Sequence, residues 1–137
     1  MPSIVVGYDD SPGSHAALDV AASLAAEHGD ELIIGFGIEP PGAVGDEGKA
    51  HRDAIRDSGE KAAKHAVATV RDKGVETRVE LVDKRPVDAL LALAVQHDAR
   101  FIVVGTYGES PLKGAILGST PHKLLHLSEV PVVVVPA

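Results

Sequence analysis

Phe101-Ile102-Val103-Val104 is the stretch that most narrows what this chain can fold into. Four consecutive apolar residues, rich in β-branched side chains, leave nothing polar for a solvent-facing surface. The segment therefore predicts a strand buried on both faces. Such strands belong to parallel sheets, because the crossovers joining parallel strands lay helices over both faces.

The rest of the chain supplies the alternation this requires. Ile4 to Tyr8 reads as a first strand, Glu31 to Ile38 as a second, Val75 to Leu81 as a third, Arg100 to Gly105 as the fourth and Pro131 to Val135 as the fifth. In the third, apolar residues alternate with Glu76, Arg78 and Glu80, which suits a sheet edge. Helical spacing separates the strands: Ala17, Leu18, Ala21, Leu24 and Ala25 in the first helix, then Ile55, Ala62, Ala63, Ala66, Val67 and Val70 in a long one over about Lys49 to Lys73. A third helix starts at Pro86 with Val87, Leu90, Leu91, Ala94 and Val95 facing inward, and a last one runs from about Ser119 to Ser128. Ser11-Pro12 reads as an N-cap followed by proline in the first helical position, and Gly29 and Gly74 read as helix ends. The Pro- and Gly-rich segment from Glu39 to Gly48 predicts a mobile loop.

The order β-α-β-α-β-α-β-α-β predicts an α/β fold, a doubly wound open parallel five-stranded sheet with helices on both faces, in one domain spanning 1–137. With strand order 3-2-1-4-5 the winding reverses between the first and fourth strands, and ligands of such sheets sit in the crevice at the carboxyl ends there. Asp9 then faces Gly105 across that crevice. Gly105-Thr106-Tyr107-Gly108, nine further residues and Gly118-Ser119 form a plausible phosphate-binding loop. Glycines let backbone approach an anion, and free N–H groups at a helix start donate to it.

Composition excludes several other partners. There is no cysteine, hence no disulfide framework or thiol chemistry. Acidic residues outnumber basic ones 20 to 13, which disfavours polyanionic partners, and aromatics are only 3%, too few for a single-strand stacking platform. The expectation is no nucleic acid and no membrane partner. The first residues run directly into an apolar strand without a basic leader, and no apolar run reaches the ~20 residues of a membrane span. A cytoplasmic location is the corresponding expectation.

Three pieces of the sequence, in order, resemble the universal stress protein family. Ile4-Val5-Val6-Gly7-Tyr8-Asp9-Asp10-Ser11 is similar to its opening strand, and Ala99 to Thr106 to its fourth strand. Leu117-Gly118-Ser119-Thr120 and Val130 to Val135 are similar to its closing segment. The glycine spacing matches the G-x2-G-x9-G-[ST] motif of the family's ATP-binding branch. The resemblance implies a Rossmann-like, adenine nucleotide alpha hydrolase-like fold and a stress-response sensor or regulator that binds ATP, with Mg2+ or Mn2+ accompanying the triphosphate. It implies Asp9 against the nucleoside and Gly37 lining the adenine pocket. Gly105 and Gly108 fall to ribose and phosphates, and Gly118, Ser119 and Thr120 to the phosphate chain.

Two departures bear on the ligand. The family usually has a further Ser or Thr after Gly-Ser-Thr; here Pro121 offers neither hydroxyl nor N–H. Glu109 and Ser110-Pro111 stand where a basic residue and glycine are frequent. AMP or cyclic AMP thereby becomes an alternative to ATP, and a homodimeric interaction module without nucleotide is a second. Lys113 is as readily a solvated lysine as a phosphate contact.

No catalytic residue is assigned, since no nucleophile with a paired base stands out, so any ATP hydrolysis is at most slow. No metal ligand is assigned either. His122 and His126 share a helix face but lack a third ligand, and the other histidines, among them His15, read as surface residues. The final strand is apolar on both faces yet lies at a sheet edge, blunted only by Pro131. That predicts a homodimer through Val130 to Val135, which the resemblance also implies.

Overall fold

The structure is a computed structural model and describes residues 2–38, 45–106 and 118–136. The strands are β1 (Ser3–Gly7), β2 (Glu31–Gly37), β3 (Thr77–Val82), β4 (Ala99–Gly105) and β5 (Val132–Val135). The helices are α1 (Pro12–His28), α2 (Gly45–Val70), α3 (Pro86–Gln96) and α4 (Ser119–Leu127). All strands run parallel in the order β3-β2-β1-β4-β5, as expected, with β3 and β5 at the edges.

Side-chain alternation along each strand divides the core in two. Ile4 and Val6 of β1, Leu32 and Ile34 of β2 and Val103 of β4 pack under α1 and α2. Val5, Ile33, Ile102 and Val104 point to the opposite face and pack against Leu90, Leu93 and Ala94 of α3 and Leu124 of α4. Burial on both faces is why β1 and β4 carry unbroken apolar runs. Full burial of each such side chain contributes roughly 1.5–3 kcal/mol.

The helix ends follow local rules. Ser11 caps α1, its Oγ accepting the Ser14 N–H at 3.2 Å, and Pro12 takes the first helical position. Gly29 and Gly74 adopt φ of +70° and +67°, the left-handed conformation that stops a helix. At the amino ends of the strands, Arg100 donates from Nε and Nη2 to the nearly buried Asp30 carboxylate at 2.8 and 3.3 Å. This ion pair ties the start of β4 to the turn before β2.

Two expectations required correction. Helix α2 begins at Gly45, inside the segment read as a mobile loop, while residues 39–44 lie outside those described. Val95 does not face inward but is 81% exposed, and the buried stripe of α3 is Ala89, Leu90, Leu93 and Ala94. Gly35 of β2 explains this rotation: a Cβ there would lie 2.8 Å from Leu93 Cδ1 and 3.2 Å from Leu90 Cδ2. The missing side chain receives Leu93, so the glycine in this strand accommodates the protein's own helix.

This contact is testable by a double-mutant cycle in urea. Gly35→Ala overpacks the seam and is expected to cost about 1–3 kcal/mol. Leu93→Ala empties it and is expected to cost about 2–5 kcal/mol. The double variant should lose less than the sum, because the added methyl occupies vacated space. Simple additivity would contradict the account.

Candidate functional site

The winding reverses between β1 and β4, and the helices α1 and α4 that follow them lie on opposite faces of the sheet. Between the carboxyl ends of the two strands is a cavity of about 790 Å³. Its walls come from the β1–α1 turn, the end of β2, one face of α2, the end of β4 and the start of α4. That volume lies in the range of small-molecule and cofactor sites.

Six of the seven residues expected at the site, Asp9, Gly37, Gly105, Gly118, Ser119 and Thr120, line this one cavity. The seventh, Gly108, lies outside the described residues, as do Tyr107, Glu109, Ser110, Pro111 and Lys113. Asp9 is exposed at the mouth, and its Oδ1 accepts the Ser11 N–H at 3.0 Å, tightening the turn into α1. Its other carboxylate oxygen leaves acceptor capacity for a ligand donor.

Helix α4 is capped by Gly118, not Ser119, since Ser119 already holds the first helical position. The Gly118 N–H donates to the Thr106 carbonyl at 2.8 Å, tying the helix start to the end of β4. The first N–H groups of a helix have no intrahelical acceptor. Here those at Ser119 and Thr120 begin the helix, Pro121 has none, and His122 N–H already donates to the Gly118 carbonyl at 3.1 Å. The start of α4 therefore presents two backbone donors with the positive end of the helix dipole, supplemented by two hydroxyls.

Gly37 and Gly105 answer to the protein's own packing. A Cβ on Gly37 would lie 2.6 Å from Pro86 N and 2.7 Å from the Lys84 carbonyl oxygen. One on Gly105 would lie 2.6 Å from the Gly13 carbonyl oxygen. Both glycines let another backbone segment close against the crevice, so they shape its wall from behind.

Sequence reading missed a second group of residues on the rim. Tyr8, buried at the end of β1, packs edge-on against Phe36 and donates its hydroxyl to Asp10 Oδ1 at 2.8 Å. His15 Nε2 of α1 lies 2.9 Å from the same oxygen and His65 Nδ1 of α2 lies 3.4 Å from it. The tyrosine hydrogen bond holds the Asp10 carboxyl below its usual range, with the two imidazoles adding to the effect. Burial, reinforced by that hydrogen bond and the neighbouring carboxylates, pushes the Tyr8 phenol up. His15 was expected as a surface residue. Nothing local marks the group, because His65 stands 55 positions from Asp10.

The architecture and the position of the cavity define a class: doubly wound α/β proteins with a ligand crevice at the topological switch point. The Universal stress protein family model matches residues 1–136, and the chain belongs to that family. It is 32% identical over 146 residues to universal stress protein YxiE of Bacillus subtilis, covering 96% of this chain and 97% of that one. It is 32% identical over 145 residues to a universal stress protein of Mycobacterium tuberculosis, covering 97% and 94%. Among solved structures it is similar to a universal stress protein in complex with cAMP, at 29% identity and a TM-score of 0.73, covering 97% of this chain and 95% of that chain.

If Gly37 serves packing first, Gly37→Ala should lower the melting temperature by several degrees, as expected for roughly 1–3 kcal/mol of overpacking. Scanning calorimetry of the ligand-free protein checks this. An unchanged melting temperature would show that the glycine is not needed by the fold.

Proposed function

We propose that the crevice binds an adenine nucleotide, that the nucleotide carries one phosphate in preference to three, and that the protein is a nucleotide-responsive regulator in the stress response. The observation that carries this reading is the start of α4. Two backbone N–H groups and the hydroxyls of Ser119 and Thr120 line the same cavity as the Asp9 carboxylate. Anions are favoured at helix starts, and a carboxylate suits the hydroxyls of a ribose. The cAMP complex of the similar universal stress protein supports the adenine nucleotide.

The phosphate count follows from Pro121. It occupies the third helical position, is buried, and removes the N–H that would extend the cradle toward further phosphates. A single phosphate, free or cyclised, matches a cradle of this size. ATP remains the competitor, since the full glycine motif is present in the sequence. With ATP a divalent cation is needed to offset charge, and Asp9 is a carboxylate at the crevice mouth suited to hold it.

Calorimetric titration with cyclic AMP, AMP and ATP tests this. The one-phosphate ligands are expected to bind more tightly than ATP. A charge-assisted hydrogen bond contributes about 1.5–3 kcal/mol, so Asp9→Ala should weaken them by about tenfold or more with the fold intact. No heat with any of the three would overturn the nucleotide reading. Tight binding of ATP alone would overturn only the phosphate count.

A homodimer through β5 completes the reading. Ile102 N–H donates to the Pro131 carbonyl at 3.0 Å and Thr106 N–H to the Val135 carbonyl at 3.1 Å. In a parallel ladder alternate residues serve the same neighbour, so Val132 and Val134 direct their backbone groups away from β4. An apolar edge with unpaired backbone groups is a template for a second copy. Val134→Pro removes one outward N–H without touching the β4 ladder. Light scattering should then show a monomer with an unchanged circular dichroism spectrum, whereas an intact dimer would rule out this edge.

A further inference from the structure

We propose that Asp10, His15 and His65 form a binding site for a divalent transition cation of the Zn2+ class, on the rim of the crevice and distinct from its phosphate end. One potential ligand atom from each residue lies within 4.8 Å of the others. Zn2+ bound at ~2.0–2.1 Å by nitrogen and oxygen in a tetrahedron spaces its ligand atoms at about 3.3 Å. The observed separations of 2.9 and 3.4 Å from Asp10 Oδ1 bracket that value. Two imidazoles and one carboxylate are a donor set suited to Zn2+ and its neighbours rather than to Mg2+ or Ca2+, which prefer oxygen.

Hydrogen bonding alone explains the arrangement poorly. The Tyr8 hydroxyl, His15 Nε2 and His65 Nδ1 all converge on the single oxygen Oδ1 of Asp10. A carboxylate oxygen has two lone-pair sites, so the three cannot all donate to it at once, and the Tyr8 hydroxyl also lies 3.4 and 3.5 Å from the two ring nitrogens of His15. A cation receiving lone pairs from both imidazoles and from Asp10 removes the conflict and leaves Tyr8 as the sole donor. Tyr8 then acts as the outer partner that fixes a ligating carboxylate.

Each ligand is held by a different element. The Asp10 backbone takes φ of +64° in the turn after β1, a conformation aspartate tolerates, and Tyr8 fixes its side chain. The His15 N–H donates to the Ser11 carbonyl at 3.0 Å in the first turn of α1. His65 is flanked on α2 by the buried Ala63 and Ala66. The rings of His15 and His65 meet edge to face, with centroids 5.6 Å apart. With three protein ligands, a fourth position stays open to water, and Asp10 itself lines the crevice. The cation would join α2 to the β1–α1 turn.

The test titrates Zn2+ alone into the purified protein by calorimetry, with Co2+ as a spectroscopic probe. Stoichiometric binding is expected, together with the visible d–d absorption of a low-coordinate Co2+ site. His15→Ala and His65→Ala should each weaken binding by about tenfold or more, and Tyr8→Phe by about 10–100-fold while retaining stoichiometry. His122→Ala/His126→Ala, which removes the other close histidine pair, should leave this binding unchanged. Circular dichroism establishes that each variant is folded. Binding lost in the α4 pair, or equal in wild type and His15→Ala/His65→Ala, would overturn the proposal. Neither outcome depends on whether a nucleotide binds.

Discussion

The pairing of β1 with β4 is the constraint on which everything else rests. These two strands are buried on both faces, and they are neighbours in space although α1, β2, α2, β3 and α3 separate them in sequence. Because the chain winds away from β1 in one direction and returns to β4 for the other, α1 and α4 lie on opposite faces of the sheet and a crevice opens at the carboxyl ends between the two strands. The crevice is thus a consequence of topology, and its chemistry depends on which residues follow Gly7 and Gly105.

That separation explains why the fold was more legible than the site. The order of elements along the chain follows from apolar runs, helical spacing and caps, all of them local signals, and the alternation of Glu76, Arg78 and Glu80 with apolar residues marked the third strand as an edge. Errors arose where tertiary contact overrode a local pattern. Val95 keeps good helical spacing with Leu91, yet α3 turns Leu93 toward the bare Cα of Gly35. The segment after Glu39 reads as a loop by its prolines and glycines, yet α2 starts at Gly45. Gly37 and Gly105 were expected against a ligand through the family resemblance; in the fold both line the crevice, and each also has backbone, around Pro86 and Gly13, packed on its Cα.

The rim cluster shows the limit most clearly. Asp10 and His15 stand five positions apart, with His65 on a helix that packs alongside only after the sheet has formed. No spacing rule unites three residues contributed by a turn and two helices. By contrast, Asp9, Gly118 and Ser119 could be put forward from sequence because they follow a strand or stand at a helix start, and Thr120 through the family resemblance. Their convergence in one cavity was the part the topology supplied.

The central claim is that an adenine nucleotide occupies the switch-point crevice, with its phosphate at the start of α4. Backbone amide chemical-shift mapping by NMR, on adding cyclic AMP to the labelled protein, reports this at residue level. The account predicts saturable shifts centred on Ser119, Thr120 and the Asp9 turn, with the exposed face of α3 around Val95 unaffected. Absent shifts, or shifts confined to a surface remote from the β1 and β4 ends, would contradict it.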